Sequence, residues 1–267
     1  MLNVSIVLYN SDWLQVGNLT ETLLQSKYVN HVYWIDNSPQ SYCPPISDTR
    51  IIYQHNKNNI GYGAAHNIAI RQSHYDDIPY HLVINPDIIL NTNELEQMLQ
   101  FISSHSEVGL LMPKVVYPNG ELQHLCKLLP TPLDVFGRRF LPKQWMQRCN
   151  YTYEMRASGY DKLMNVPYLS GCFMLFRTQA AIKVHLFDER FFMYPEDMDI
   201  TRRIHRDYLT VYFPHATIIH NHAKESYKSL KMLWIHIINM CRYFNKWGWF
   251  CDKERTLFNQ TAIHEYL

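Results

Sequence analysis

The chain reads as an α/β fold in which a mostly parallel central sheet carries helices on both faces. Three observations predict it. Short apolar, β-branched runs alternate with segments of helical period. Turn-forming clusters sit at their junctions. With 267 residues, 47% hydrophobic and 18% charged, the chain can bury one large core, or one domain with a small appendage.

Val4 to Leu8 is a first strand, buried on both faces. Asp12 to Ser26 follows as a helix, with Leu14, Leu19, Leu23 and Leu24 on or near one side. His31 to Ile35 is the next strand and ends in the turn cluster Asp36-Asn37-Ser38-Pro39. A third strand spans Arg50 to Gln54, a second helix Gly63 to Ser73, and a fourth strand His81 to Ile84. Asn93 to Ser104 is a third helix, striped by Leu95, Met98, Leu99 and Ile102. Further strands are expected at Val108 to Met112 and from Val115 into a turn at Gly120. Pro132 to Asn165 looks irregular, basic and aromatic. Its two readings are a loop that closes over an acceptor and an elaborated connection. Regular pattern resumes with a strand at Tyr168 to Phe176 and helices at Thr178 to Val184 and Asp197 to Asp207. Strands at Leu209 to Phe213 and Thr217 to His220 follow, then a long amphipathic helix, Ser226 to Trp249. The division expected is a domain over residues 1–225 and a helical extension over 226–267.

Charge excludes one class of partner. A formal net charge of +1 offers no basic footprint for nucleic acid. Nineteen Tyr within 14% aromatics suit stacking on sugars or bases. The cysteines at 43, 126, 149, 172, 241 and 251 show no metal-like spacing and are expected as reduced, buried or half-buried thiols. Met1 to Leu8 has no basic leader and reads directly as a strand, and no apolar run reaches the ~20 residues of a spanning helix. A soluble or peripheral protein is expected.

Five motifs bear chemistry, and the first four have a plainer reading beside them. Asn56 to Asn67 places glycines and alanines at a loop-to-helix junction, where a backbone can approach a ligand, or simply turn. Asp36 could accept hydrogen bonds from a nucleoside or form the turn. Asn85-Pro86-Asp87 offers two oxygen side chains to one side of the chain, suited to Mg²⁺ or Mn²⁺ on phosphates, or to a turn. Glu196, Asp197 and Asp199 follow Pro195 where helix-dipole capping also favours acids, yet three acids beside four aromatic positions exceed a cap's needs. His220-Asn221-His222 closes the regular core, where an imidazole can complete a cation's shell.

Taken in order, Val4 to Asn10, Asp36 to Ser38, Asn59 to Gly63, Asn85 to Asp87, Ser170 to Arg177 and Phe187 to Arg203 resemble the family 2 glycosyltransferases. The nearest branch in character is the bacterial rhamnosyltransferase type that builds surface polysaccharides, and the likeness runs over about residues 3–226. It implies the GT-A nucleotide-sugar-binding fold and an inverting transfer from a nucleoside-diphosphate sugar to a lipid-linked glycan hydroxyl. By the same resemblance Tyr9, Asp36, Asn59, Gly61, Tyr62, Asn85, Gly171 and Cys172 would line the donor site. Asp87 would hold Mg²⁺ or Mn²⁺, with His220 as a further ligand and His222 its competitor. Asp197 would be the general base, supported by Glu196, Asp199 and Arg203. One departure stands out: Asn85 replaces the first acid of the family's Asp-x-Asp, keeping an oxygen but no charge.

The resemblance favours deoxythymidine-diphosphate rhamnose as donor, with a uridine-diphosphate hexose or galactofuranose as rival. It also implies a cytoplasmic enzyme, associated with the inner face of the membrane. A non-catalytic glycan- or partner-binding module on the same fold is the alternative function. The C-terminal helix, with Lys224, Lys228, Lys231, Arg242 and Lys246 near it, fits packing on the domain, rest on anionic lipid, or a homodimer contact.

Overall fold

Strand and helix alternate along the chain because the apolar period switches between two and 3.6. The computed structural model describes residues 1–43, 47–137, 141–221 and 230–266. The first half runs β1 (Leu2–Leu8), α1 (Trp13–Leu24), β2 (Val29–Asp36), β3 (Ile51–His55), α2 (Tyr62–Tyr75), β4 (Tyr80–Ile84), β5 (Ile88–Ile89), α3 (Thr92–Ser104) and β6 (Val108–Val116). Then follow β7 (Cys126–Lys127), a π-helical turn (Leu133–Gly137), α4 (Lys143–Tyr153), a short 3-10 turn (Arg156–Ser158), β8 (Met164–Asn165), β9 (Tyr168–Leu169) and β10 (Phe173–Arg177). The chain continues through α5 (Thr178–Lys183), α6 (Glu196–Ile204), β11 (Leu209–His220), α7 (Leu230–Trp247) and α8 (Lys253–Tyr266).

The main sheet has the order β3-β2-β1-β4-β10-β6-β11-β5, with β8 beside β11. β1, β2, β3 and β4 pair in parallel, as do β6 and β11. β10 is antiparallel to both β4 and β6, so those two share a direction and β1, β2, β3, β4, β6 and β11 all point one way. Period two along β4 and β10 separates the two cores. Leu82, Ile84, Phe173 and Leu175 face α1 and α3, while Val83, Met174 and Phe176 face the side covered by Ile70 of α2 and Ile200 and Ile204 of α6. A third cluster joins Tyr168, Phe191 and Met198 to Met240, Tyr243 and Phe244 of α7.

Several expectations are corrected. Residues 132–165 are not irregular among those described: α4 occupies the middle, and Tyr153, Met155 and Tyr160 are buried in the second core. Tyr153 and Tyr160 therefore serve packing, while Trp145 and Tyr151 stay exposed. The expected breaks at Pro113 and Pro214 are absent, and β6 and β11 are each continuous. Pro113 is tolerated because β10 pairs with β6 only at Leu110 and Leu111, and β11 takes a register shift between Phe213 and Thr217. The strand expected at Tyr168 to Phe176 is divided, because β9 leaves the main sheet to pair with β7. Within the helical extension expected over 226–267, α8 is a second helix that no apolar stripe marks. Its buried residues are Arg255 and Ala262, too few apolar positions to make a readable stripe. Residues 226–229 of the expected tail helix lie outside the described residues. No disulfide joins any of the six cysteines, but Cys251 is exposed rather than covered, because the turn after Gly248 carries it to the surface.

Candidate functional site

The carboxyl ends of parallel strands leave unpaired backbone and loops above the sheet, which is where open α/β sheets hold ligands. Asp36 ends β2, Asn85 follows β4 and His220 ends β11. The loop Ser170 to Cys172 enters the same edge, because antiparallel β10 begins there with Phe173 opposite Ile84. Topology alone therefore brings together residues 36, 85, 171 and 220.

At one end, Asp36 is buried. One carboxylate oxygen accepts from the Ser38 amide at 2.8 Å, and the other accepts from the Tyr53 hydroxyl at 2.8 Å. Asn37 donates to the Gly61 carbonyl at 3.2 Å and its side-chain oxygen accepts from Asn56 at 2.8 Å, tying the loops after β2 and β3 together. Asn59 is half-buried and accepts from the Gly61 amide at 3.0 Å. Gly61 has φ +92°, and an added Cβ would stand 2.6 Å from the Phe192 carbonyl oxygen, so only glycine fits. Tyr9 is exposed on the same rim, after β1.

At the centre, the Tyr62 hydroxyl donates to the Gly171 carbonyl at 2.8 Å and stands 2.9 Å from the side-chain oxygen of Asn85. The Asn85 amide donates to the Cys172 carbonyl at 3.0 Å. His220 Nε2 lies 3.4 Å from Asp87 Oδ1, and its Nδ1 is 3.1 Å from the Gln123 side-chain oxygen, which orients the ring. Burial pulls the His220 imidazole down, but the Asp87 carboxylate and the Cys172 thiol outweigh it and carry the pKa up to about 10. The pair has the chemistry of a half-built cation site, a hard carboxylate oxygen beside an imidazole. Among the described residues no group of three His, Cys, Asp or Glu forms a ready cage for a metal, so the pair fits a cation only together with a phosphate-bearing ligand. His222 lies outside the described residues.

Next to this lies α6, which is buried along nearly its whole length. Asp197 Oδ2 accepts from the Gly171 amide at 2.8 Å and Oδ1 from the Met198 amide at 2.7 Å. Burial nevertheless raises Asp197 to about 6, partly countered by the Gly171 amide. Glu196 is pushed well above the carboxylate range by burial and then by Asp197, and its buried Oε2 has no hydrogen-bond partner. Burial thus pushes both neighbouring carboxyls upward, and the Asp197 charge adds to the push on Glu196. Tyr194, two residues upstream of Glu196, has φ +91°, a strained conformation costing about 1–3 kcal/mol that tends to mark functional sites.

Asp199 and Arg203 face away from this pair. Asp199 is fully buried, accepting from Arg203 Nε and from Trp247 Nε1, each at 2.8 Å, with Lys246 Nζ at 2.7 Å. Arg203 also donates to the carbonyls of Val184 and Leu186. These two residues fasten α6 to its surroundings. Arg202, unremarked in the sequence, does so more strongly. It donates twice to Asp252 at 2.7 and 2.6 Å, pairs with Glu254 at 2.7 Å, and stacks 4.0 Å over the Trp247 ring. Other contributors with no sequence signal are Tyr53, Gln123 and the buried chain His66–Ser5–His81–Ser73, whose hydrogen bonds are 2.6, 2.8 and 2.7 Å. Tyr62 packs on the His66 ring, with centroids 4.4 Å apart, so this chain buttresses the centre of the site.

Comparison with known proteins places this geometry among relatives. The family model described as "Glycosyl transferase family 2" matches residues 4–184. The chain is 30% identical over 177 residues to the N-acetylglucosaminyl-diphospho-decaprenol L-rhamnosyltransferase of Mycobacterium tuberculosis, a match covering 62% of this chain and 57% of that protein. It is 25% identical over 190 residues to rhamnosyltransferase WbbL of Escherichia coli K12, covering 68% of this chain and 69% of the relative. Among solved structures, GalNAc-T7 with UDP, GalNAc and Mn²⁺ superposes with a TM-score of 0.58 at 12% identity over 82% of this chain and 43% of that one. The Pyrobaculum calidifontis mannosyltransferase PcManGT with GDP-Man and Mn²⁺ gives a TM-score of 0.57 at 12% identity over 90% of this chain and 64% of that one. These likenesses show the fold.

Proposed function

From the premise that this chain belongs to glycosyl transferase family 2, we propose that it is an inverting, divalent-cation-dependent sugar transferase acting on a nucleoside-diphosphate donor. The acceptor is a hydroxyl of a lipid-linked glycan in the assembly of a bacterial surface polysaccharide. The names of the relatives favour rhamnose as the sugar and a diphospho-polyprenol as the acceptor's lipid. One observation carries the reading: a single backbone loop, Gly171-Cys172, touches both acidic clusters. Gly171 holds Asp197, while Gly171 and Cys172 together hold the Tyr62–Asn85 pair next to Asp87.

Roles follow from position. Asp36, with Tyr9, Asn59 and Gly61 around it, receives the nucleoside. Asp87 and His220 hold the cation against the diphosphate, with the Asn85 oxygen adding a neutral dipole. A bound Mg²⁺ or Mn²⁺ supplies the positive charge that favours departure of the diphosphate. Asp197, ionised near neutral pH, takes the proton of the acceptor hydroxyl as its oxygen bonds to the anomeric carbon from the face opposite the leaving group. The bond to the diphosphate oxygen breaks with its electron pair, and the anomeric configuration inverts. The unpartnered Glu196 Oε2 is left for a hydroxyl of the bound sugar or acceptor. Residues 1–225 then form the transferase domain, and 226–267 an extension that braces α6 from behind.

The test is nucleoside-diphosphate release across a panel of deoxythymidine-, uridine- and guanosine-diphosphate sugars, with a polyprenyl-diphosphate glycan acceptor and with Mn²⁺ or a chelator. Acceptor-dependent, chelator-sensitive release from one donor is expected. If no donor turns over while a labelled glycan still binds, the chain is a binding module on a transferase fold. Tyr62→Phe is expected to keep the fold at a cost of about 1 kcal/mol and to lower kcat more than it raises KM, because Gly171 loses its tether. Steady-state kinetics alongside a urea melt separate the two effects.

A further inference from the structure

The first half of α7 departs from the pattern of every other described helix. Seven of the nine residues from Leu230 to Ile238 are large and apolar, and none of the nine is buried. Leu230, Trp234 and Ile238 stand one turn apart and are 79%, 64% and 48% exposed. The second half of the same helix is ordinary, with Met240, Tyr243 and Phe244 in the third core cluster. An apolar face of this size needs a partner.

We propose that this face is a membrane-docking surface, lying in the interface of a bilayer rich in anionic phospholipid. Three observations select that occupant. First, α7 contains no Asp or Glu, while Lys231 and Arg242 are exposed on it, matching the negative surface of such a bilayer. Second, a symmetric contact between two copies would set the same cationic face against itself, with no acid on the helix to compensate. Third, no described helix is long and apolar enough to cross a membrane, so the face lies along the surface rather than through it.

The placement gives the surface a purpose. Asn239 donates to the Met193 carbonyl at 3.0 Å, and His236 packs on the Tyr194 ring with centroids 5.0 Å apart. The docked helix therefore touches the segment that leads directly into Glu196 and Asp197. On the reading of a lipid-linked acceptor, the acceptor's diphosphate would emerge from the headgroup layer beside those acids. The docking itself does not depend on that reading.

Co-sedimentation of the full chain with vesicles tests it. Expected is binding to phosphatidylethanolamine–phosphatidylglycerol vesicles, weakened by salt, with far less binding to pure phosphatidylcholine. The joint change Trp234→Glu and Ile238→Glu should lower partition at least about tenfold, and Lys231→Glu should lower it only on the anionic vesicles. Far-UV circular dichroism and the melting temperature of the variants should match the parent, since the altered side chains are exposed. The proposal is overturned if the parent binds neither vesicle, if the double variant binds as well as the parent, or if sedimentation equilibrium shows a dimer that the double variant dissociates. Donor turnover with a water-soluble acceptor analogue separates the two claims. Turnover that persists without vesicle binding refutes the surface alone, and vesicle binding without turnover refutes the transferase reading alone.

Discussion

Asp197→Asn abolishes transfer while leaving the protein folded and, above pH 6, at least as stable as the parent. Loss of a general base should lower kcat by about 10²–10⁴-fold. The stability half follows from linkage. Burial raises the Asp197 pKa from the ordinary carboxylate range to about 6, so the folded state favours the protonated acid. Ionising it costs nothing below the unfolded pKa and costs progressively more as pH rises through about 6. A shift of this size is worth about 3 kcal/mol at neutral pH, and the amide escapes it. Some of that gain is lost because an amide cannot accept from both the Gly171 and Met198 backbone N–H groups. Urea melts at neutral and acidic pH check the sign: the advantage of the variant should disappear at acidic pH. For the parent enzyme, kcat/KM should fall about tenfold per unit below pH 6, as the base becomes protonated. A variant that is inactive because it is unfolded, or a flat acid limb, would sink the assignment.

Asp252→Ala has the largest expected effect on the fold. It strips a double hydrogen bond from an Arg202 guanidinium whose side chain is 1% exposed, leaving a buried charge only partly met by Glu254. Breaking such a pair from one side costs about 3–5 kcal/mol, which lowers the melting temperature by on the order of 10 °C in a chain of this size. Joint replacement of Arg202 and Asp252 by apolar residues should recover much of it, since the isolated charge is then gone too. Thermal melts of the two single variants and the double variant give the coupling. A loss below about 1 kcal/mol for the single change would show that Glu254 alone satisfies the arginine. Because Arg202 lies on the helix that carries Asp197, kcat should fall with stability in the single variant and return in the double.

Most of the frame was legible because strands with strict apolar runs and helices with a clear stripe have few alternatives. Val4 to Leu8, His81 to Ile84 and the Leu95–Ile102 stripe are cases where local pattern and final burial agree. Legibility failed where tertiary contact, not period, decides. Met155 and Tyr160 look like loop residues yet fill the second core, because β8 and β11 come over them. The two-residue strands β5, β7 and β8 exist only through their partners. In the site, Asp36 shows why two readings of a residue need not compete: one oxygen closes the Ser38 turn while the carboxylate remains at the strand end. The proximity of Asp87 and His220 was anticipated through resemblance, but the Gln123 that orients the imidazole comes from a loop with no signature. Arg202 was overlooked because its partners, Asp252 and Glu254, lie some fifty positions later in an extension that seemed separable.

The place of β10 has a consequence for how the molecule is assembled over time. This strand sits between β4 and β6, yet it comes almost sixty residues after β6 in the chain. While the polypeptide is being made, β1 to β4 can pair as a sheet of their own, but β6 has nowhere to join it until residue 177 has emerged. Through that interval β4 presents an open apolar edge, the kind of surface on which nascent chains misassociate. Closing the gap also delivers Gly171 and Cys172. The event that joins the two parts of the sheet and the one that delivers the loop bridging the candidate site are therefore the same insertion.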